Sequence, residues 1–222
     1  MSYRRYQDRR EAGRLLAEAV AGRRFADPVV LGLPRGGVVV AAEVAARLGA
    51  PLDIVLVRKL GAPYQPELAV GAVIDGGEPE VVLNDDVVRA TDTSPDYIQR
   101  ETARQVAVIE ERRRLWLADR PRAAIAGKTA IVVDDGIATG ATVRAALRWL
   151  KRRHPKAVVI ATPVAAEDTI EALRAEADDV VCLQSPVSLG AIGFFYRDFR
   201  QIADDEVTAI LRDAAPKEVR PK

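Results

Sequence analysis

Apolar residues recur at two distinct periods along the chain, and the alternation between them predicts its elements. Residues 7 to 22 carry Ala12, Leu15, Leu16, Ala19 and Val20 at helical spacing, so one face of a helix is apolar. Pro28 to Leu33 is then an unbroken apolar run, as in a strand buried on both faces. A helix from Val38 to Leu48, ended by Gly49, and a second strand from Leu52 to Val57 complete a βαβ unit. Leu68 to Ile74 and Glu80 to Leu83, separated by Asp75-Gly76-Gly77, read as a hairpin.

Ser94 with Pro95 behind it is a helix start, and the helix runs on to about Leu117 with Ile98, Thr102, Val106 and Ile109 on one stripe. So narrow a stripe fits a helix laid over one edge of the sheet, a dimer contact, or simple packing with a solvated face. Further strands are expected at Ile131 to Val133, Ala157 to Ala161 and Asp179 to Leu183. Helices are expected at Ala141 to Arg153, Glu167 to Ala175 and Asp204 to Leu211. Five strands joined largely through helices make an α/β fold with a doubly wound, mainly parallel five-stranded sheet flanked by helices. A hairpin or lid region, a helical insertion at about 84–120 and a small C-terminal hood at about 184–205 are added to a core of about 29–183. The tail from Pro216 is expected to fray.

The junction after the third of these strands carries chemistry. Ala130 to Val133 leads into Asp134-Asp135-Gly136-Ile137-Ala138-Thr139-Gly140-Ala141-Thr142, directly before a helix. Backbone N–H groups in such a loop and first helical turn have no intrahelical partner and sit at the positive end of the helix dipole, so they can hold a phosphate without Lys or Arg. Thr139 and Thr142 add hydroxyl donors. Asp134 and Asp135 would repel that anion and instead suit neutral hydroxyls. Carboxylates for a diol beside a loop for a phosphate describe a ribose 5-phosphate.

This stretch closely resembles the motif of the type I phosphoribosyltransferases that binds 5-phosphoribosyl 1-pyrophosphate (PRPP). The resemblance implies that Asp134 and Asp135 hold the ribose hydroxyls and that Ile137, Ala138, Thr139, Gly140, Ala141 and Thr142 hold the 5-phosphate. It also gives a role to Pro34-Arg35-Gly36-Gly37, a strand-to-helix turn with two glycines and a guanidinium. There Arg35, Gly36 and Gly37 would contact pyrophosphate. Arg58 and Lys59 end the second strand and are further pyrophosphate candidates, with 60–67 as a lid loop. Arg35 and Lys59 join the two aspartates as the catalytic candidates.

Beyond the last strand, Ser188 to Phe199 concentrates three of the four Phe residues, and the resemblance makes Phe195, Tyr196 and Asp198 candidates for holding a base; packing under the C-terminal helix is the alternative. Relatives acting on 6-oxopurines usually carry Asp before the Thr-Gly, where Ala138 stands here. The implied reaction transfers the 5-phosphoribosyl group from PRPP to a nitrogenous acceptor such as a nucleobase. Mg²⁺ would arrive with PRPP, with no metal ligand taken directly from the protein. A non-catalytic PRPP sensor is the alternative.

Composition narrows the picture. The 222 residues suffice for one substantial core, so the chain reads as a single domain over 1–222. Lys and Arg number 33 against 32 Asp and Glu, which leaves no field to attract nucleic acid or a membrane; Arg112-Arg113-Arg114 reads as the solvated face of a helix. Lone Cys182 and the absence of an apolar leader point to the cytoplasm. His154, the only histidine, excludes a histidine-based triad or zinc cluster.

Overall fold

The computed structural model describes residues 3–75, 79–118 and 120–214. Helix α1 (Arg9–Ala21) is capped by Asp8, whose carboxylate accepts from the Glu11 amide. Strand β1 (Pro28–Gly32) leads into α2 (Gly36–Leu48), which stops at Gly49 in the left-handed conformation, φ 61°. Then come β2 (Leu52–Ile54), β3 (Leu56–Ala62), β4 (Gln65–Asp75) and β5 (Pro79–Leu83). The insertion is α3 (Asp85–Ala90) and α4 (Pro95–Leu117). The chain closes with β6 (Thr129–Val133), α5 (Ala141–Lys151), β7 (Ala157–Val164), α6 (Glu167–Arg174), β8 (Asp179–Gln184) and α7 (Asp204–Asp213).

Five parallel strands form the central sheet in the order β2-β1-β6-β7-β8. Its strands read as continuous apolar runs because both faces are covered. Ile131 and Val133 of β6 belong to the core shared with α1, α2, α4 and α7. Their neighbours Ala130 and Val132 belong to the core shared with α5 and α6. The order also fixes where a ligand can sit. Connections leave β1 toward β2 on one side and β6 toward β7 on the other, so a crevice opens between the carboxyl ends of β1 and β6. Gly32 and Val133, paired across these two strands, bring the Pro34–Gly37 and Asp134–Gly140 loops side by side.

Three expectations need correction. The predicted strand Leu52 to Val57 is broken at Val55: Leu52–Ile54 stays in the parallel sheet, and Leu56 onward enters a separate antiparallel sheet of order β3-β4-β5. Residues 60–67, expected as a loop, are mostly strand. Leu60 pairs with Gly71 and Ala62 with Gln65, leaving only Pro63 and a fully exposed Tyr64 at the turn. Cross-strand pairing overrides the Gly and Pro content there. Third, Arg112 is not on a solvated face. Helix α4 buries Gln105, Ile109, Trp116 and Leu117, a stripe that passes through Arg112, and packs on β3 and α7. Gly76 and Gly77 of the hairpin turn, and the tail from Pro216, lie outside the described residues. No helix among the described residues is long and apolar enough to cross a membrane.

Candidate active site

The loop after β6 has its carbonyls committed and several amides free. Ile137 C=O accepts from the Ala166 amide, Ala138 C=O from the Thr169 hydroxyl at 2.7 Å, Thr139 C=O from the Arg144 guanidinium at 2.8 Å, and Gly140 C=O from the Arg144 amide. Ile137 N–H is held by Val164. Among the described residues, the N–H groups of Ala138, Thr139 and Gly140 donate to no protein group. Gly140 sits at φ 74°, a conformation that permits the tight entry into α5. A cavity of about 210 Å³ is lined by this loop, by Asp134 and by Ile192. Unpaired amides at a helix N-terminus with the opposing carbonyls turned away make a nest for an anion.

The two aspartates have different partners. Asp135 Oδ2 accepts from Arg9 Nε at 2.6 Å; both side chains are nearly buried, and the Arg9 guanidinium also lies 3.9 Å from the Phe199 ring centre and donates to the Arg200 carbonyl. Among the described residues Asp134 has no ion-pair partner, and the Arg9 charge acts on it only weakly, after burial and Asp135. Burial, and then the charge of Asp135, hold its carboxyl well above the usual carboxylate range. Asp134 is therefore the member of the pair that faces the cavity, with Asp135 fixed behind it.

Gly36 and Gly37 are required by this arrangement rather than by their own turn. A Cβ on Gly36 would lie 1.9 Å from Asp135 Oδ2, and one on Gly37 2.8 Å from the Val133 carbonyl and 3.0 Å from Asp134 Oδ1. The loop after β1 thus seats directly against the acidic pair. The Pro34–Arg35 peptide between these strands' ends is cis. Arg35 Nη1 lies 3.4 Å from Asp204 Oδ1.

The chain belongs to the phosphoribosyl transferase family. The model of the phosphoribosyl transferase domain matches residues 2–197. The protein TT1426 of Thermus thermophilus has a crystal structure that superposes with a TM-score of 0.80 at 48% identity, covering 96% of this chain and 100% of that one. Proteins of two Mycobacterium tuberculosis strains, named provisionally as phosphoribosyl transferases, are 45% identical over 206 residues. That match takes in 93% of this chain but 46% of theirs, so the chain spans about half the length of these relatives.

In this phosphoribosyl transferase fold the sequence-derived candidates separate into two groups. Asp134, Asp135, Gly36, Gly37 and the loop 137–142 converge on one crevice, and Arg35 with Arg58 lines a second cavity at its edge. Lys59, adjacent to Arg58 on β3, points to the opposite face as strand geometry requires. It pairs with Glu67 at 2.9 Å and lines a separate hollow of about 270 Å³ against α5, together with Thr142. Phe195 and Tyr196 are buried with Tyr6 and Leu189; Tyr196 stacks on Phe199 and donates its hydroxyl to the Asp135 carbonyl. Neither ring has a free face. Asp198 accepts from the Arg200 amide in a different depression, and the hood residue that meets the cavity of the 137–142 loop is Ile192.

Arg9, Thr169, Arg144 and Arg112 escaped the sequence reading. For Arg9 a signal existed: it lies on the buried stripe of α1 with Ala12, Gly13, Leu16 and Val20, and an arginine on an apolar stripe needs a buried partner.

Proposed function

We propose that this protein transfers the 5-phosphoribosyl group of PRPP to a small nitrogenous acceptor, such as a nucleobase, and releases pyrophosphate. The observation that carries the reading is the meeting of three devices at one crevice: an amide nest for the 5-phosphate, an acid pair for ribose hydroxyls, and a Gly36-Gly37 turn seated on that pair beside arginines.

The C1–oxygen bond to pyrophosphate breaks as the acceptor nitrogen bonds to C1 with inversion, and the nitrogen's proton is released. Charge separation dominates the barrier, so fixed charges supply the catalysis. Asp134 accepts a ribose hydroxyl and, as its carboxylate, favours positive charge on the ring. Arg9 removes part of the repulsion that would otherwise oppose two adjacent carboxylates. Arg35 and Arg58 meet the negative charge of the leaving group. Mg²⁺ would arrive with PRPP and take its ligands from the pyrophosphate oxygens and water, which needs no metal cage from the protein. Bound that way, Mg²⁺ would neutralise charge on the pyrophosphate.

The test is pyrophosphate release from Mg-PRPP with a panel of bases, together with PRPP affinity. The Asp134→Asn/Asp135→Asn variant should lose both while remaining folded by circular dichroism. Unchanged affinity and turnover in that variant would refute the ribose assignment.

A further inference from the structure

A second cavity, of about 150 Å³, opens where the loop after β1 meets the start of β3 and helix α4. Its polar lining is Arg35, Arg58 and Arg112, over an apolar floor that includes Ile109 and Trp116. Among the described residues, one carboxylate, Asp204, is in contact with two of these three guanidinium groups. Asp204, at the start of α7, reaches both Arg35 at 3.4 Å and Arg112, while Arg58 donates to the neutral Gln105 side chain at 3.0 Å, which is held in turn by Glu101. The indole N–H of Trp116 is buried without a partner. The charged side chains lining the cavity are thus all donors, and the acceptor for two of them is borrowed from a neighbouring helix.

A strut between α4 and α7 would need a single arginine on Asp204. Two share it, and the pair is about one-third exposed on each side, where an ion pair holds weakly and is open to exchange. A phosphate group offers more acceptor oxygens and more charge than one carboxylate, in the bidentate geometry that guanidinium prefers. The loop that lines this cavity with Pro34 and Arg35 continues into the Gly36-Gly37 turn against Asp134 and Asp135, so a group bound here is contiguous with the ribose site.

We propose that this cup takes a phosphate of the leaving pyrophosphate, that Arg112 is a third guanidinium ligand supplied by the helical insertion, and that Asp204 is a placeholder anion which the phosphate displaces. The proposal rests on the phosphoribosyl-transfer reading, and the test separates the two. Inorganic pyrophosphate and, separately, ribose 5-phosphate are titrated calorimetrically into the parent protein and into Arg112→Gln, Arg112→Lys, Asp204→Asn and Asp204→Ser.

Arg112→Gln should weaken pyrophosphate about tenfold or more, the equivalent of one charge-assisted hydrogen bond. Arg112→Lys should recover part of that, and both Asp204 variants should tighten pyrophosphate. Ribose 5-phosphate affinity should stay within about twofold in all four, since none touches the amide nest; that affinity also reports an intact fold. The proposal is overturned if Arg112→Gln leaves pyrophosphate binding unchanged, or if both Asp204 variants weaken it while still binding ribose 5-phosphate, because Asp204 is then only a strut. A parent that binds ribose 5-phosphate but not pyrophosphate overturns the cup alone. One that binds neither overturns the transferase reading, and the cup with it.

Discussion

Arg9→Met is the perturbation that most directly probes how the acidic pair is held. Methionine keeps an unbranched stem on the apolar stripe of α1 but deletes the guanidinium that lies 2.6 Å from Asp135, in a pair whose side chains are 9% and 13% exposed. Stranding a buried carboxylate in this way costs about 3–5 kcal/mol. Loss of the contact with Phe199, at 3.9 Å, places the cost toward the upper end of that range, since a desolvated cation–π contact is worth about 2 kcal/mol. About 5 kcal/mol is a large share of the roughly 5–15 kcal/mol by which domains are stable, and at about 2–4 °C per kcal/mol for chains of this size it lowers Tm by about 10–20 °C.

The assay is urea unfolding of the ligand-free protein, followed by tryptophan fluorescence, for Arg9→Met, Asp135→Asn and the double variant. With the stranded charge removed, Arg9→Met/Asp135→Asn should be more stable than Arg9→Met, giving a coupling of about 1–3 kcal/mol. Losses that simply add, within about 0.5 kcal/mol, would refute the idea that Arg9 acts through Asp135.

Asp134→Asn should stabilise the ligand-free protein at neutral pH while weakening PRPP binding. The folded-state pKa is raised, so the folded chain holds a proton that the unfolded chain releases near 3.8, and stability declines as pH rises from there through the folded pKa. A melting series from pH 4 to 8 should show that decline reduced in Asp134→Asn; an equal decline in both proteins would count against it. Gly36→Ala places a Cβ 1.9 Å from Asp135 Oδ2 and 2.8 Å from Arg9 Nε, so it should lower stability by about 1–3 kcal/mol and lower PRPP affinity, both measurable by thermal shift with and without PRPP. Cys182, its thiol pushed up by burial to about 11, should have only about one thiolate per thousand at pH 8. Iodoacetamide should therefore label it far more slowly in the native protein than in urea, and equal rates would contradict the raised pKa of this half-buried thiol.

Legibility followed the range of the interactions. The loop 134–142 could be read from the chain because its geometry is local: a buried strand, a Gly/Thr turn and a helix start occupy a dozen consecutive residues. The alternation of Ile131 and Val133 with Ala130 and Val132 between two cores likewise appears as an apolar run. By contrast, Leu52 to Val57 is uniformly strand-like, and nothing local marks Val55 as the point where the chain leaves one sheet for another. Arg58 and Lys59 are neighbours with the same charge, yet pleating sends one to Arg35 and the other to Glu67.

By itself the sequence determined most of the elements, the parallel core and the position of the Gly/Thr loop at a strand-to-helix junction, because periodicity and turn chemistry act over a few residues. Only the tertiary structure decided which charges meet. Arg9 finds Asp135 across 126 positions and Arg112 finds Asp204 across 92, since such a pair depends on which surfaces are packed together and not on spacing along the chain.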